Sequence, residues 1–337
     1  MIMKTAQKVV EAPDAGPNAF ARIEKTPGPL VFRGVAAAWP LVKEAARSPA
    51  AGIDYLRRFC GDATVTVSLG RAGDDRRLGY NDDLTGFNFT MERKPLAEVL
   101  SILDNDSVNP AAPVCYVGST TIDKCLPGLR DENDIDLGGR QALASIWIGN
   151  RTIIGAHFDA LYNIACVAAG RRRVTLFPPE EIDNLYIGPL DPTPAGQPVS
   201  LVDFNNWDSA KHPRFATAIE RALIAELGPG DALYIPSAWW HHVESLDAFN
   251  VLVNYWWRDT PSFMGNPMDA LAHALLSVRD LPAAERDRWR SLFDHYIFDW
   301  ESGHADYIPK QARGSLGPMD DMAARRLRAI LLNRLNK

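Results

Sequence analysis

Seven histidines are spread over the 337 residues, and two of their settings could do chemistry. The first is His157-Phe158-Asp159. In an extended strand, residues two apart point to the same face, so His157 and Asp159 can offer an imidazole and a carboxylate to one cation. The second is Trp239-Trp240-His241-His242, which closely follows the run Gly228-Pro229-Gly230-Asp231-Ala232-Leu233-Tyr234-Ile235-Pro236. A tight glycine–aspartate turn, a short apolar strand and a proline would deliver the next histidine to the mouth of a barrel. If either His241 or His242 faces the interior that holds His157 and Asp159, two imidazoles and one carboxylate converge. Such a facial triad leaves three coordination positions open and suits non-haem Fe(II) oxygenase chemistry. An isolated His-x-Asp is a weak signal, because such pairs also occur on solvated surfaces. The other histidines carry less. His212 falls in a loop and is expected to be solvated, and His273, His295 and His304 fall in or near helical segments where packing or solvation is the ordinary role.

The elements that must position these residues are legible in the pattern. Short apolar or β-branched runs predict strands at 29–34, 63–68, 114–117, 143–148, 165–168, 173–177, 224–227, 232–235 and 251–256. Helices are predicted at 41–46, 54–59 (with Asp54 near its N-cap), 95–103 and 216–222. Beyond residue 260 the texture changes to three amphipathic helices, 267–278, 282–298 and 323–335. Two stretches lack periodicity, 70–88 and 183–214, and long loops inside compact domains are usually functional or disordered. The resulting division is an irregular segment 1–25, a β-rich domain 26–260 and a helical extension 261–337.

Composition narrows the class. The chain is 46% apolar and 23% charged, as in ordinary globular proteins, and its 24 glycines and 24 prolines supply the turns of a β-rich fold. Its net charge of −6 argues against nucleic acid as a partner. Cys60, Cys115, Cys125 and Cys166 form no CxxC pair and suit neither a zinc ribbon nor a disulfide framework, so each is expected to be a buried small side chain in a reducing compartment. The first 13 residues lack the apolar stretch of a signal peptide, and no apolar run is long enough to span a bilayer. The expected location is the cytoplasm.

Taken together the segments resemble the cupin-like branch of the JmjC superfamily, which includes the asparaginyl hydroxylase acting on hypoxia-inducible factor. The residues that carry the resemblance are His157-Phe158-Asp159, Leu176-Phe177-Pro178-Pro179, Gly230 through Pro236, Trp239 through Ser245 and Val253-Asn254-Tyr255-Trp256. The opening Pro29 to Gly34 with Trp39-Pro40 matches as well, and the likeness covers about residues 25–260. It implies a mainly β fold with α additions: a double-stranded β-helix (jelly-roll) core, N-terminal α/β elements and C-terminal helices. It also implies Fe(II), 2-oxoglutarate and O₂.

The first histidine of the Trp-Trp-His-His run matches the distal metal ligand, so the implied metal set is His157, Asp159 and His241, with His242 packed outside it. The basic residue that grips the far carboxylate of 2-oxoglutarate falls on Arg172. The family commonly has lysine there, but the planar guanidinium can hold a carboxylate bidentately; the alternative is that Arg171, Arg172 and Arg173 are all solvated. Tyr116 matches an assisting tyrosine, Asn163 and Asn254 match amides near the co-substrate, and Trp256 matches an aromatic beside the iron or is simply a core tryptophan. Ile154 stands where the hydroxylase has a threonine, so one carboxylate contact is missing. The implied reaction hydroxylates a protein or peptide side chain, or a small metabolite, with release of succinate and CO₂. The two long loops would wall the acceptor groove. The rival is a metal-binding cupin-like module without turnover, which Ile154 and Arg172 keep open. The helical extension would either cover the barrel of its own chain or form a homodimer.

Overall fold

The structure is a computed structural model that describes residues 6–12, 20, 23, 26–71, 75–194 and 196–336. Its strands in chain order are β1 (Gln7–Lys8), β2 (Val10–Glu11), β3 (Leu30–Phe32), β4 (Thr64–Leu69), β5 (Arg77–Leu78), β6 (Thr90–Pro95), β7 (Cys115–Thr121), β8 (Leu143–Gly149), β9 (Thr152–His157), β10 (Tyr162–Ala169), β11 (Arg172–Phe177), β12 (Leu223–Leu227), β13 (Ala232–Ile235), β14 (Trp240–Ser245) and β15 (Asn250–Trp257). They form a six-stranded sheet, β1-β12-β11-β14-β9-β5, and a nine-stranded sheet, β2-β3-β13-β10-β15-β8-β7-β4-β6. Of the eight strands β8 to β15, β8, β10, β13 and β15 lie in the nine-stranded sheet and β9, β11, β12 and β14 in the six-stranded one, each set paired antiparallel, which is the double-stranded β-helix of a jelly roll.

Alternation along the strands decides what faces the inside. On β15, Val251, Val253, Tyr255 and Trp257 join the outer core, whereas Leu252, Asn254 and Trp256 line the interior. On β8, Ala144, Ile146 and Ile148 point outward and Trp147 inward. On β10, Ile164 and Cys166 point outward, with Asn163 and Ala165 inward. The outer core is closed by α1 (Pro40–Arg47), α2 (Pro49–Arg57) and α3 (Leu96–Asp106), whose Leu41, Ile53, Leu56 and Leu100 pack with Ile146, Ile148, Ile164 and Tyr255. Two tight turns fix the strand register. Gly170 has φ +68, and a Cβ there would collide with Asn250 and the Phe249 carbonyl. In the 228–231 turn, Asp231 Oδ2 accepts from Gly228 N at 3.0 Å and from Arg33 Nη1 at 2.7 Å, tying the turn to β3.

Several boundaries differ from the sequence expectation. Helix α2 starts at Pro49, not Asp54, because the Ser48 side chain caps it by accepting from Ala51 N at 3.0 Å. Asp54 lies inside the helix and pairs with Arg57 at 2.6 Å. Strands β6, β9 and β14 were not expected from apolar alternation, since β6 is mostly exposed and β14 carries His241, His242 and Glu244. Within 1–25, expected to be irregular, β1 and β2 pair with β12 and β3; positions 1–5, 13–19, 21–22 and 24–25 lie outside the described residues. Within 70–88, β5 pairs with β9 and Tyr80 bridges to Phe87, while 72–74 lie outside the described residues. All four cysteines are buried and unpaired.

The chain divides into two compact units, 1–258 and 259–337. The second contains α4 (Pro267–Ser277), α5 (Ala283–Phe293) and α6 (Asp321–Leu335). Among its described residues only Ala305 and Ala324 are buried apolar side chains. No helix among the described residues is long and apolar enough to cross a membrane.

Candidate metal centre

β9 ends on His157, and its partner β14 carries His241 directly opposite. Between them the register slips: His241 faces His157, but Val243 faces Ile154, so Gly155 and Ala156 stand opposite the single residue His242. This bulge lets Ile154 and His157, three apart, both line the interior. Asp159 lies just past the strand end. Its carbonyl accepts from Ala238 N at 2.8 Å, so the turn before β14 and the one after β9 are hydrogen-bonded to each other. Ala238 sits at φ +65, a conformation unusual for a residue with a Cβ, at the entry to the strand that carries His241.

The three ligand-type side chains converge. Potential ligand atoms of His157, Asp159 and His241 all lie within 4.8 Å of one another, the rings of the two histidines are 4.2 Å apart, and His241 Nε2 lies 3.8 Å from Asp159 Oδ2. Each imidazole is held through Nδ1, His157 to the Gly155 carbonyl and His241 to the Trp239 carbonyl, both at 3.0 Å. An Nδ1–H donated to a carbonyl leaves Nε2 with its lone pair free for a cation. Burial, and then the neighbouring His241, push the His157 pKa down to about 4, which keeps the ring neutral near pH 7. Asp159 is oriented in turn: Asn163 Nδ2 donates to its Oδ2 at 3.2 Å, and Asn254 Nδ2 donates to Asn163 Oδ1 at 2.7 Å. These three residues therefore have the donor types and the spacing to hold a metal ion.

The triad opens into a cavity of about 400 Å³ between the two sheets. Val174, Leu227, Ile235 and Leu252 make it apolar, and Tyr116 and Arg172 also line it. Arg172 stands opposite Ser245, four residues along β14 from His241, or roughly 13 Å by strand rise. It is 2% exposed, and its Nε and Nη2 have no partner. Burial alone pushes its pKa down. A guanidinium is not left buried and unpaired without cost, so the geometry calls for an anion. Its sequence neighbours differ: Arg171 pairs with Asp247 at 2.8 Å and Arg173 with Glu226 at 3.2 Å, both at the surface. Tyr116 is also buried, and its hydroxyl is pushed up to about 12 by that burial.

A family model for the cupin-like domain matches residues 17–263. The chain belongs to the cupin-like domain family, which is JmjC-like. The relatives of this cupin-like protein include "Lysine-specific demethylase JMJ31" of Arabidopsis thaliana, 27% identical over 79% of this chain and 51% of that protein. "Lysine-specific demethylase 8" of Xenopus tropicalis is 28% identical over 68% of this chain and 48% of that one. "tRNA wybutosine-synthesizing protein 5" of Homo sapiens is 31% identical over 39% of this chain and 43% of that one. The cupin-like protein thus spans about half the length of the curated relatives it matches first.

Other expectations resolve as follows. His242 points away from the triad and stacks on Phe204 at 4.2 Å. His212, expected in solvent, is instead buried, 4.8 Å from the Tyr186 ring, because the 183–214 segment folds onto Phe177, Phe215 and Trp240. Trp256 lines the cavity rather than the outer core. Leu78 and Pro194, one from each long loop, also line it, and Tyr80 Oη donates to the Pro189 carbonyl at 2.8 Å. Sequence reading missed Trp147, Thr66, Ser68 and Thr120 as lining residues. For Trp147 the signal was present, since the alternation of Ala144, Ile146 and Ile148 places it on the opposite face.

Proposed function

We propose that this cupin-like protein is an Fe(II)- and 2-oxoglutarate-dependent oxygenase that hydroxylates a protein or peptide side chain. The observation that carries this reading is the pairing, in one cavity, of a His157–Asp159–His241 triad with a buried arginine lacking a counter-ion. Those residues fit a metal ion at one position and a dicarboxylate reaching from it to Arg172.

In this reading His157, Asp159 and His241 hold Fe(II) through two Nε2 atoms and a carboxylate oxygen. Asn163 and Asn254 keep the carboxylate oriented. Arg172 and Tyr116 fix the far carboxylate of 2-oxoglutarate, and the apolar wall of Val174, Leu227, Ile235 and Leu252 keeps water away from it. When bound, iron and 2-oxoglutarate supply the oxidative decarboxylation that activates O₂ for attack on a C–H bond, with succinate and CO₂ as by-products. Trp256 lines the same cavity and would border the acceptor beside the iron. Leu78 and Pro194 are the described loop residues that would wall its approach.

The relatives named as lysine-specific demethylases support a protein acceptor, and a small metabolite is the rival. The net charge of −6 weighs against nucleic acid. Four buried, unpaired cysteines support a reducing compartment, the cytoplasm. The exposed apolar side chains of the second unit support a homodimer formed through the C-terminal helices. Ile154, an apolar residue in the cavity wall, favours the second reading, a metal-binding module without turnover.

One assay separates the two. The Fe(II) form of the wild type releases succinate from 2-oxoglutarate, and Asp159→Ala does not. Equal turnover in both, or no binding of 2-oxoglutarate to the Fe(II) form, removes the oxygenase reading.

A further inference from the structure

The segment 79–89 runs from β5, the edge strand of the six-stranded sheet, to β6, the edge strand of the nine-stranded one. It folds as a hairpin: Asn88 N donates to the Gly79 carbonyl at 3.1 Å and Asn81 N to the Gly86 carbonyl at 3.0 Å. At its base Leu78 and Phe89 are buried with Val114 and Tyr116. A second segment lies beside it, in which Gly188 N donates to the Val199 carbonyl at 2.9 Å and Leu201 N to the Tyr186 carbonyl at 3.0 Å. Both segments are anchored on β9 next to the triad. Leu78 pairs with Ile154, and Ser200 N donates to the Ala156 carbonyl, one residue before His157, at 2.8 Å. Arg77 Nη2 joins the two bases by donating to the Ser200 carbonyl at 3.2 Å. Farther along both chains Tyr80 makes another tie. Its Oη donates to the Pro189 carbonyl at 2.8 Å, and its ring lies against Gly188, where a Cβ would come within 2.7 Å of Tyr80 Cε2. Gly188 therefore lets the ring reach the backbone of the second segment. Leu78 from the first segment and Pro194 from the second line the cavity that holds the triad.

We infer that Tyr80 is a positioning residue that couples the two segments, so that they order and open together as one wall of the metal cavity. The inference rests on the oxygenase reading only in naming the acceptor as what meets that wall. The hydroxyl fixes one point, and the ring against Gly188 adds a steric constraint, so a shift of either segment is passed to the other. Two independent loops would each lose their own conformational entropy on ordering; here, ordering one lowers the cost of ordering the other. Leu78 and Pro194 then keep their spacing, and an acceptor meets one preformed edge.

The test is amide hydrogen exchange of the full-length protein, read by mass spectrometry on peptides covering 79–89, 186–194 and, as a reference, β10. Tyr80→Phe keeps the ring and removes the hydroxyl. It should speed exchange in both segments by a similar factor, about three- to tenfold for the loss of one hydrogen bond, and leave β10 unchanged. Gly188→Ala drives a Cβ into the ring and should also speed exchange in both segments. In a Tyr80→Ala background, with no ring to strike, Gly188→Ala should add less than about twofold. Leu201 Cδ2, 3.0 Å from that Cβ, is the flexible end of a side chain and can turn away. Should Tyr80→Phe fail to fold, the Gly188→Ala comparison decides. Faster exchange in 79–89 alone, no change in either segment, or full additivity of Gly188→Ala and Tyr80→Ala overturns the coupling. The measurement needs neither 2-oxoglutarate nor turnover, so those outcomes leave the oxygenase reading standing, and failure of that reading in the succinate assay leaves the coupling standing.

Discussion

At the scale of single residues, His241 and His242 show how adjacency in sequence becomes opposition in space. On β14 they face opposite sides of one sheet, one toward the triad and the other onto Phe204. His242 has both ring nitrogens buried without partners, and burial, followed by nearby Arg77 and His157, pushes its pKa down to about 3. Unfolded, the ring protonates near its ordinary value of about 6.5, so between these values the unfolded chain binds more protons and acid favours unfolding. His242→Phe keeps the stack on Phe204 and removes this group. In urea titrations of metal-free protein, the wild type should lose about 2 kcal/mol more stability than the variant between pH 6.5 and pH 5. Equal losses would show that the ring is solvated in the native state.

At the scale of elements, the site depends on close approach between β7 and β8. Gly149 lies opposite Tyr116, and a Cβ on it would come within 2.8 Å of the Cys115 carbonyl oxygen and 2.9 Å of the Tyr116 ring. The carbonyl is backbone and cannot yield without moving the strand. Gly149→Ala is expected to cost about 1–3 kcal/mol by overpacking, read as a lowered urea midpoint, and to weaken 2-oxoglutarate binding by displacing Tyr116. The same close fit explains how much of the site was legible in sequence. His157, Asp159 and the His241-His242 pair stand out by residue type and spacing, whereas Arg172 was singled out from Arg171 and Arg173 only by the family resemblance. The bulge at Gly155 and Ala156 depends on which strand lies opposite, and single-strand periodicity does not contain that.

At the scale of the molecule, the two units bury apolar surface very differently. The first closes its core with α1, α2 and α3 over the nine-stranded sheet. The second leaves Leu276, Ile297, Phe298, Tyr307, Met322 and Leu332 each more than half exposed. Where such side chains form a contiguous patch, they would mark an interaction surface. If a second copy covers it, the wild type sediments as a dimer at micromolar concentration, and Phe298→Asp with Leu332→Asp sediments as a monomer with the same Fe(II) affinity. A monomeric wild type would remove the homodimer and leave the metal site unaffected.

The amino-acid sequence alone determined the family, the mainly β core with its helical additions, and the residue types of the metal set. These follow from short-range information: turn residues such as Gly228 through Asp231, apolar runs such as β10 and β13, and the two histidine motifs. Only the tertiary structure decided that Arg172 is buried without a counter-ion while Arg171 and Arg173 pair at the surface, that His212 is covered, and that Trp147 shares a wall with Tyr116. Each of these depends on which face of a strand meets the opposing sheet. A one-residue shift in register would invert it, and register is set by contacts between residues far apart in the chain.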